Sequence, residues 1–221
     1  DVDATDGAPS VGDYPEIQDL FRQAAQAIDE QVTAQLGDQW VVEYEFGQGS
    51  MAHIPYIAVM REDVTESVQR GVYVVYLFDP IEDRVYLTLN QGATELNRLA
   101  QSTDIEDKAA ELLKKQADYY RGMPDSNEYG SMSGPWEAGS AFISGSLRRA
   151  SEYNNGTILY TEYTAESIGE RDVVNELLGL VSIYDSFLDL TFEQLQFELE
   201  NKRAFKIGIP STEEWGRWVD G

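Results

Sequence analysis

The chain has 221 residues, enough for one sizeable domain with an appendage, and 42% of them are hydrophobic. Its 13 tyrosines, spread throughout, exclude a disordered acidic tail, and the absence of cysteine excludes a disulfide framework and a thiolate metal site. Against 16 Lys and Arg stand 40 Asp and Glu, a formal net charge of -24, and no apolar run reaches the roughly 18 residues that a membrane-spanning helix needs.

The acids are not gathered in one block, as they would be in an interaction tail. Spread evenly, they read as the surface of a salt-adapted cytoplasmic protein. At molar salt the Debye length is about 3 Å, and repulsion among such acids is screened. The first residues, DVDATDGAPSVGD, lack the positive region and apolar core of a signal peptide.

In chain order, residues 1–13 read as a disordered acidic lead-in. A helix is expected from Asp13 or Tyr14, with Pro15 early and Glu16 in its first turn. Its apolar stripe would be Ile17, Leu20, Phe21, Ala24, Ile28, Val32 and Leu36, and Gly37 would end it. Strands are expected at 39–46, at 54–60 (entered through Pro55), at 71–78 and at 84–90, with Gly47-Gln48-Gly49-Ser50 breaking the first from the second. GVYVVYLF, nearly continuous in apolar residues, reads as the central strand, whereas RVYLTLN alternates. Helices follow at 93–101 and 105–121, the latter capped by Thr103 or Asp104. A long loop is expected over 122–138, a short strand over 142–144, and an aromatic loop over 151–163. A long helical region should begin near Ser167. Residues 191–221, with a helical segment and then Trp215 and Trp218, read as a C-terminal helix and tail that pack on the domain spanning 14–190. The fold class expected is α+β: a mixed, largely antiparallel curved sheet flanked by helices, with a helical C-terminal part.

Catalytic chemistry is hard to find. No GxxxxGK(S/T) phosphate loop is present, and the single histidine, His53, reads as a strand residue. No cofactor and no metal are expected. With 40 acids, a carboxylate pair acting on a sugar or nucleoside cannot be singled out and stays open as an enzyme alternative.

Three stretches carry more specific information: FGQGSMAHIPYIAVM at 46–60, GVYVVYLFD at 71–79 and VYLTLNQG at 85–92. In order and spacing they resemble the N-terminal DNA-binding domain family of McrB, the specificity subunit of a modification-dependent restriction system. The helix before them and YNNGTILYTEY at 153–163 fit the same layout. The resemblance implies a module that binds modified double-stranded DNA and holds a flipped base in an aromatic pocket, with no catalysis of its own. A GTP-driven motor and a nuclease subunit would lie outside this chain.

Residue by residue, the resemblance puts Tyr56 where the family has its pocket aromatic, usually tryptophan, after the proline. Tyr73 and Leu77, four apart on one strand, share a face, and Leu77 would meet a base methyl. Tyr153 matches a tyrosine that sandwiches the base. Gly47, Gln48, Gly49 and Ser50 form the loop near DNA, with a glutamine beside the vacated stack where an aromatic would intercalate more readily. Arg148 and Arg149, one of few basic pairs, read either as phosphate contacts or as a helix-surface ion pair. The acidic surface opposes DNA binding in dilute buffer, and much less so in molar salt. An RNA or single-strand binding module on the same aromatic face is the rival reading, and a protein-docking module with a self-filled pocket is a third.

Overall fold

The computed structural model describes residues 9–65, 67–102, 109–121, 134–145 and 148–185. The expected tail at 191–221, the caps Thr103 and Asp104 and most of the 122–138 loop lie outside them. Of the expected lead-in, residues 9–13 are described, and they are tied to the domain. Val11 is buried and its N–H donates to the Gly49 carbonyl at 2.8 Å, while the Met51 N–H donates to the Pro9 carbonyl at 2.8 Å.

Helix α1 spans Pro15–Leu36, with Pro15 in the first turn, where its missing N–H costs nothing, and Gly37 as its C-cap. Its buried side is rotated slightly from the expected stripe. Phe21, Ala25 and Val32 are buried, whereas Ile17 and Leu20 are 48% and 64% exposed. The reason is that α1 rests mainly on the strand at the sheet edge, with Phe21 reaching both Phe46 and, further in, Phe78, so only a narrow face finds a partner.

Strands β1 (Trp40–Gln48), β2 (Ser50–Arg61), β3 (Val72–Asp79) and β4 (Arg84–Gln91) form an antiparallel meander. Helices α2 (Thr94–Ser102) and α3 (Ala109–Arg121) follow, then β5 (Glu137–Ala138), α4 (Arg148–Gly156), β6 (Leu159–Thr164) and α5 (173–185). Among the described residues the strands make one open sheet in the order β1-β2-β3-β4-β6-β5, antiparallel throughout. The class is α+β, as expected.

Both faces of this sheet are covered, which is why β3 is apolar at nearly every position. On one face Ile57, Val59, Val74, Tyr76 and Leu87 pack with Phe21 and Val32 of α1 and with Leu177, Val181 and Tyr184 of α5. Tyrosine hydroxyls fasten α5: Tyr76 donates to the Val173 carbonyl at 2.7 Å and Tyr184 to the Val72 carbonyl at 2.6 Å. On the other face Tyr56, Ala58, Tyr73, Val75, Leu77 and Tyr86 pack with Ala150 and Tyr153 of α4 and with Ala141 and Ile143.

Four local expectations are corrected. Pro55 lies inside β2, not at its entry. The register shifts between Glu45 and Gly47, so that Phe46 alone faces Ala52 to Pro55, and a residue without an N–H falls where the ladder is already interrupted. Residues 142–144 are not a strand. The Asn154 side chain takes the place of a strand partner, accepting from the Ile143 N–H at 2.9 Å and donating to its carbonyl at 3.0 Å. The expected loop at 151–163 is the end of α4 followed by β6, because Asn154-Asn155-Gly156 forms the last turn of a helix rather than a hairpin turn. The helix expected from Ser167 is a short 3-10 turn, Ile168–Glu170, and α5 begins only at 173.

Candidate functional site

The second face opens into a cavity of about 290 Å³ between the β1 edge and the N-terminal end of α2. Three tyrosines from three elements line it: Tyr56 of β2, Tyr73 of β3 and Tyr153 of α4. Strand alternation explains the first two. Tyr56 and Tyr73 both point away from α1, with Tyr73 fully buried and Tyr56 5% exposed. Tyr153 is 8% exposed. Leu77 does not line the cavity. It is fully buried in the same apolar cluster, directly across the ladder from Tyr56.

The position of Tyr153 is set from below by a buried polar network. Asn90 is fully buried, and its amide donates to the Tyr153 carbonyl and to the Thr157 hydroxyl, both at 3.1 Å. The Thr157 hydroxyl donates to the same Tyr153 carbonyl at 2.7 Å. Its neighbour Gln91 is also buried and donates to the Leu113 carbonyl of α3 at 3.0 Å. Asn90 and Gln91 of the LTLNQG stretch thus fasten two helices to the end of β4. Buried amides are retained where each polar atom finds a partner.

Apart from Val68 and Ala93, the remaining lining is polar. Glu43 and Glu45 project from β1, Glu152 and Arg149 from α4, Thr94 from the start of α2 and Gln69 from the turn before β3. The Tyr56 hydroxyl donates to Glu43 Oε1 at 2.6 Å. Burial, and then this bond, raise the Tyr56 phenol far above its ordinary pKa. Burial likewise raises Tyr73, and it pushes Tyr153 up to about 12, an increase partly offset by the Arg149 charge. All three rings are therefore neutral walls at physiological pH.

Arg148 and Arg149 have different surroundings. Arg148 pairs with Glu152 across one turn of α4 at 2.7 Å, the helix-surface ion pair that the sequence left open. Arg149 is exposed and lines the cavity. The hairpin Gly47-Gln48-Gly49-Ser50 is not part of this cavity. Gly47 and Gln48 line a separate groove of about 500 Å³ with Pro15, Gln18 and Arg22 of α1. The hairpin tip lies about 13 Å along β1 from Glu45, at roughly 3.3 Å per residue.

Sequence reasoning missed Glu43, Glu45 and Asn90. The alternation of VVEYEF already puts both glutamates on one face. That this is the face of Tyr56 follows only from the register, which pairs Glu45 with Tyr56. His53 is exposed in the shifted part of β2. Among the described residues no group of His, Asp and Glu is arranged to hold a metal ion, and no helix is long and apolar enough to cross a membrane.

No curated protein matches this chain. The family model for the MrcB-like N-terminal domain, in contrast, matches residues 10–189, a span that runs from the Ser10 bridge on the β2 hairpin to beyond α5 and takes in the whole sheet and the tyrosine cavity. The chain therefore belongs to the MrcB-like N-terminal domain family and is an McrB-like N-terminal module.

Proposed function

We propose that this module reads modified double-stranded DNA for a restriction or defence system, taking one flipped methylated base between Tyr56 and Tyr153. The observation that carries the proposal is the cavity itself. A base drawn from the stack needs flat walls, polar groups for its edge and a volume of its own size. Three tyrosines from three elements line one opening of about 290 Å³, at the small end of the roughly 300–1,000 Å³ of ligand pockets. Tyr73 forms the floor, with Leu77 beside Tyr56 on the next strand. Arg149 contacts a phosphate beside the flipped nucleotide, and Arg148 joins it when it leaves Glu152. The hairpin 47–50 lies against the duplex, with Gln48 near the vacated stack.

The module performs no catalysis. A GTP-driven motor and a nuclease subunit, both outside this chain, supply the cleavage. The net charge of -24 fits a cytoplasm rich in salt, where long-range repulsion from phosphate is screened and stacking and hydrogen bonds carry the affinity.

The test is binding to matched duplexes carrying cytosine, 5-methylcytosine, 5-hydroxymethylcytosine or N6-methyladenine, in about 2 M KCl so that screening is nearly complete. One modified duplex should bind at least about tenfold more tightly than its unmodified match. Tyr56→Ala and Tyr153→Ala should each remove that preference, since stacking on one aromatic is worth about 1–3 kcal/mol per base. Equal binding across the set, or binding only to unpaired strands, would overturn the reading.

A further inference from the structure

We infer that Glu43 is the specificity-determining residue of the tyrosine cavity, its carboxylate accepting from an exocyclic amino group on the edge of the bound base. The inference rests on the base-binding reading and deepens it. It assigns the ligand to the amino-bearing bases and excludes their oxo counterparts.

Three observations lead there. The Glu43 carboxylate is pinned, because the Tyr56 hydroxyl donates to Oε1 at 2.6 Å. Among the described residues no second hydrogen bond is made to that carboxylate, so Oε2 remains to accept from a ligand at a position fixed by the ring that would stack on it. The same wall repeats the chemistry: Glu45, across the ladder from Tyr56, also lines the cavity.

An ionised carboxylate only accepts hydrogen bonds. A base carrying an amino group presents an N–H donor to it, as cytosine does through N4 and adenine through N6. Thymine and hypoxanthine present a carbonyl oxygen at the same place. Two acceptors then face each other in a partly desolvated site, with no donor between them. Methylation at cytosine C5, or once at adenine N6, leaves at least one donor in place. The aromatic walls alone do not discriminate in this way, since each of these bases has a π face to stack.

The experiment uses the whole chain in about 2 M KCl, to keep charge screening nearly complete. Four matched duplexes differ at one position: 5-methylcytosine opposite guanine, thymine opposite guanine, N6-methyladenine opposite thymine, and hypoxanthine opposite thymine. Within the pair that binds, the amino base should be favoured at least about tenfold over its oxo counterpart. Mispairing works against this result, because a mispaired base is cheaper to flip. Glu43→Gln, whose amide both donates and accepts, should bring the two members within about threefold. Tyr56→Phe keeps the ring but frees the carboxylate, and should narrow the ratio in the same direction. A parent protein that binds the oxo base as tightly, or a ratio unchanged in Glu43→Gln, overturns the assignment to Glu43 while base reading stands. Absence of binding to all four and to the 5-hydroxymethylcytosine duplex overturns base reading, and this inference with it.

Discussion

Tyr153 reaches the cavity from a helix, so its aim depends on what holds that helix to the sheet. Asn90 does this at full burial, giving its amide protons to the Tyr153 carbonyl and the Thr157 hydroxyl. Asn90→Ala removes the donor and leaves a small void, with the backbone of the last turn of α4 held by Thr157 alone. The expected cost is about 2–3 kcal/mol of folding stability, read from urea unfolding, together with weaker DNA binding. A variant as stable as the parent would show that Thr157 suffices to hold the turn. At this scale the sequence was legible where one periodicity decides. Tyr73 and Leu77 share a face because they lie four apart on a strand. It was not legible where two elements meet. That Leu77 sits directly across the ladder from Tyr56 was not readable, because across-ladder neighbours depend on register. Glu43 went unnoticed for the same reason, since nothing local to VVEYEF says what lies opposite.

The β1–β2 hairpin shows the same limit for an element. The glycines announced a break, and a break is there, but they are not equivalent. Gly47 has φ +130, and a Cβ on it would fall 2.2 Å from the Ser50 carbonyl oxygen and 2.6 Å from the Ala52 nitrogen, both backbone atoms. Gly49 has φ +82 and open space around its Cβ position. Gly49→Ala should therefore cost only about 1–2 kcal/mol, the price of a left-handed backbone. Gly47→Ala should cost at least about 3 kcal/mol, because the hairpin must reopen and the Val11–Gly49 and Met51–Pro9 bonds depend on its shape. Thermal or urea unfolding of the two variants side by side checks the order, and equal losses would mean that the bulge relaxes freely. Elsewhere the meander from Trp40 to Gln91 was readable because its turns carry Gly, Pro and Asp between apolar runs. Helix α4 was not, because Asn-Asn-Gly is a hairpin signal unless its side chains find partners such as Ile143 and Ser151.

The whole molecule is held on both sheet faces by tyrosines that burial keeps protonated. Burial is the leading cause of the raised phenol pKa at Tyr56, Tyr73, Tyr76, Tyr86, Tyr153, Tyr163 and Tyr184. The sign of the linkage follows directly. A phenol that titrates higher in the folded state than in the unfolded chain, where it ionises near 10, contributes its full stability below pH 10 and loses it as pH rises through the folded value. For Tyr153, raised to about 12, the two units amount to about 3 kcal/mol. Ordinary charge repulsion would blur this in dilute buffer, because a chain at -24 grows more negative as its lysines also deprotonate. In about 2 M KCl that repulsion is screened and the tyrosines dominate. Unfolding free energy in that salt should be flat from about pH 7 to 9.5 and fall steeply beyond about pH 10, with the tyrosinate absorbance of the buried rings appearing only as the fold is lost. In Tyr153→Phe the fall between about pH 10 and 12 should be shallower, because a ring without a hydroxyl takes no part in the titration. A decline that begins near pH 8, or a tyrosinate signal that is complete while the chain is still folded, would mean that these phenols meet water, and the neutral walls assigned to the cavity would go with them.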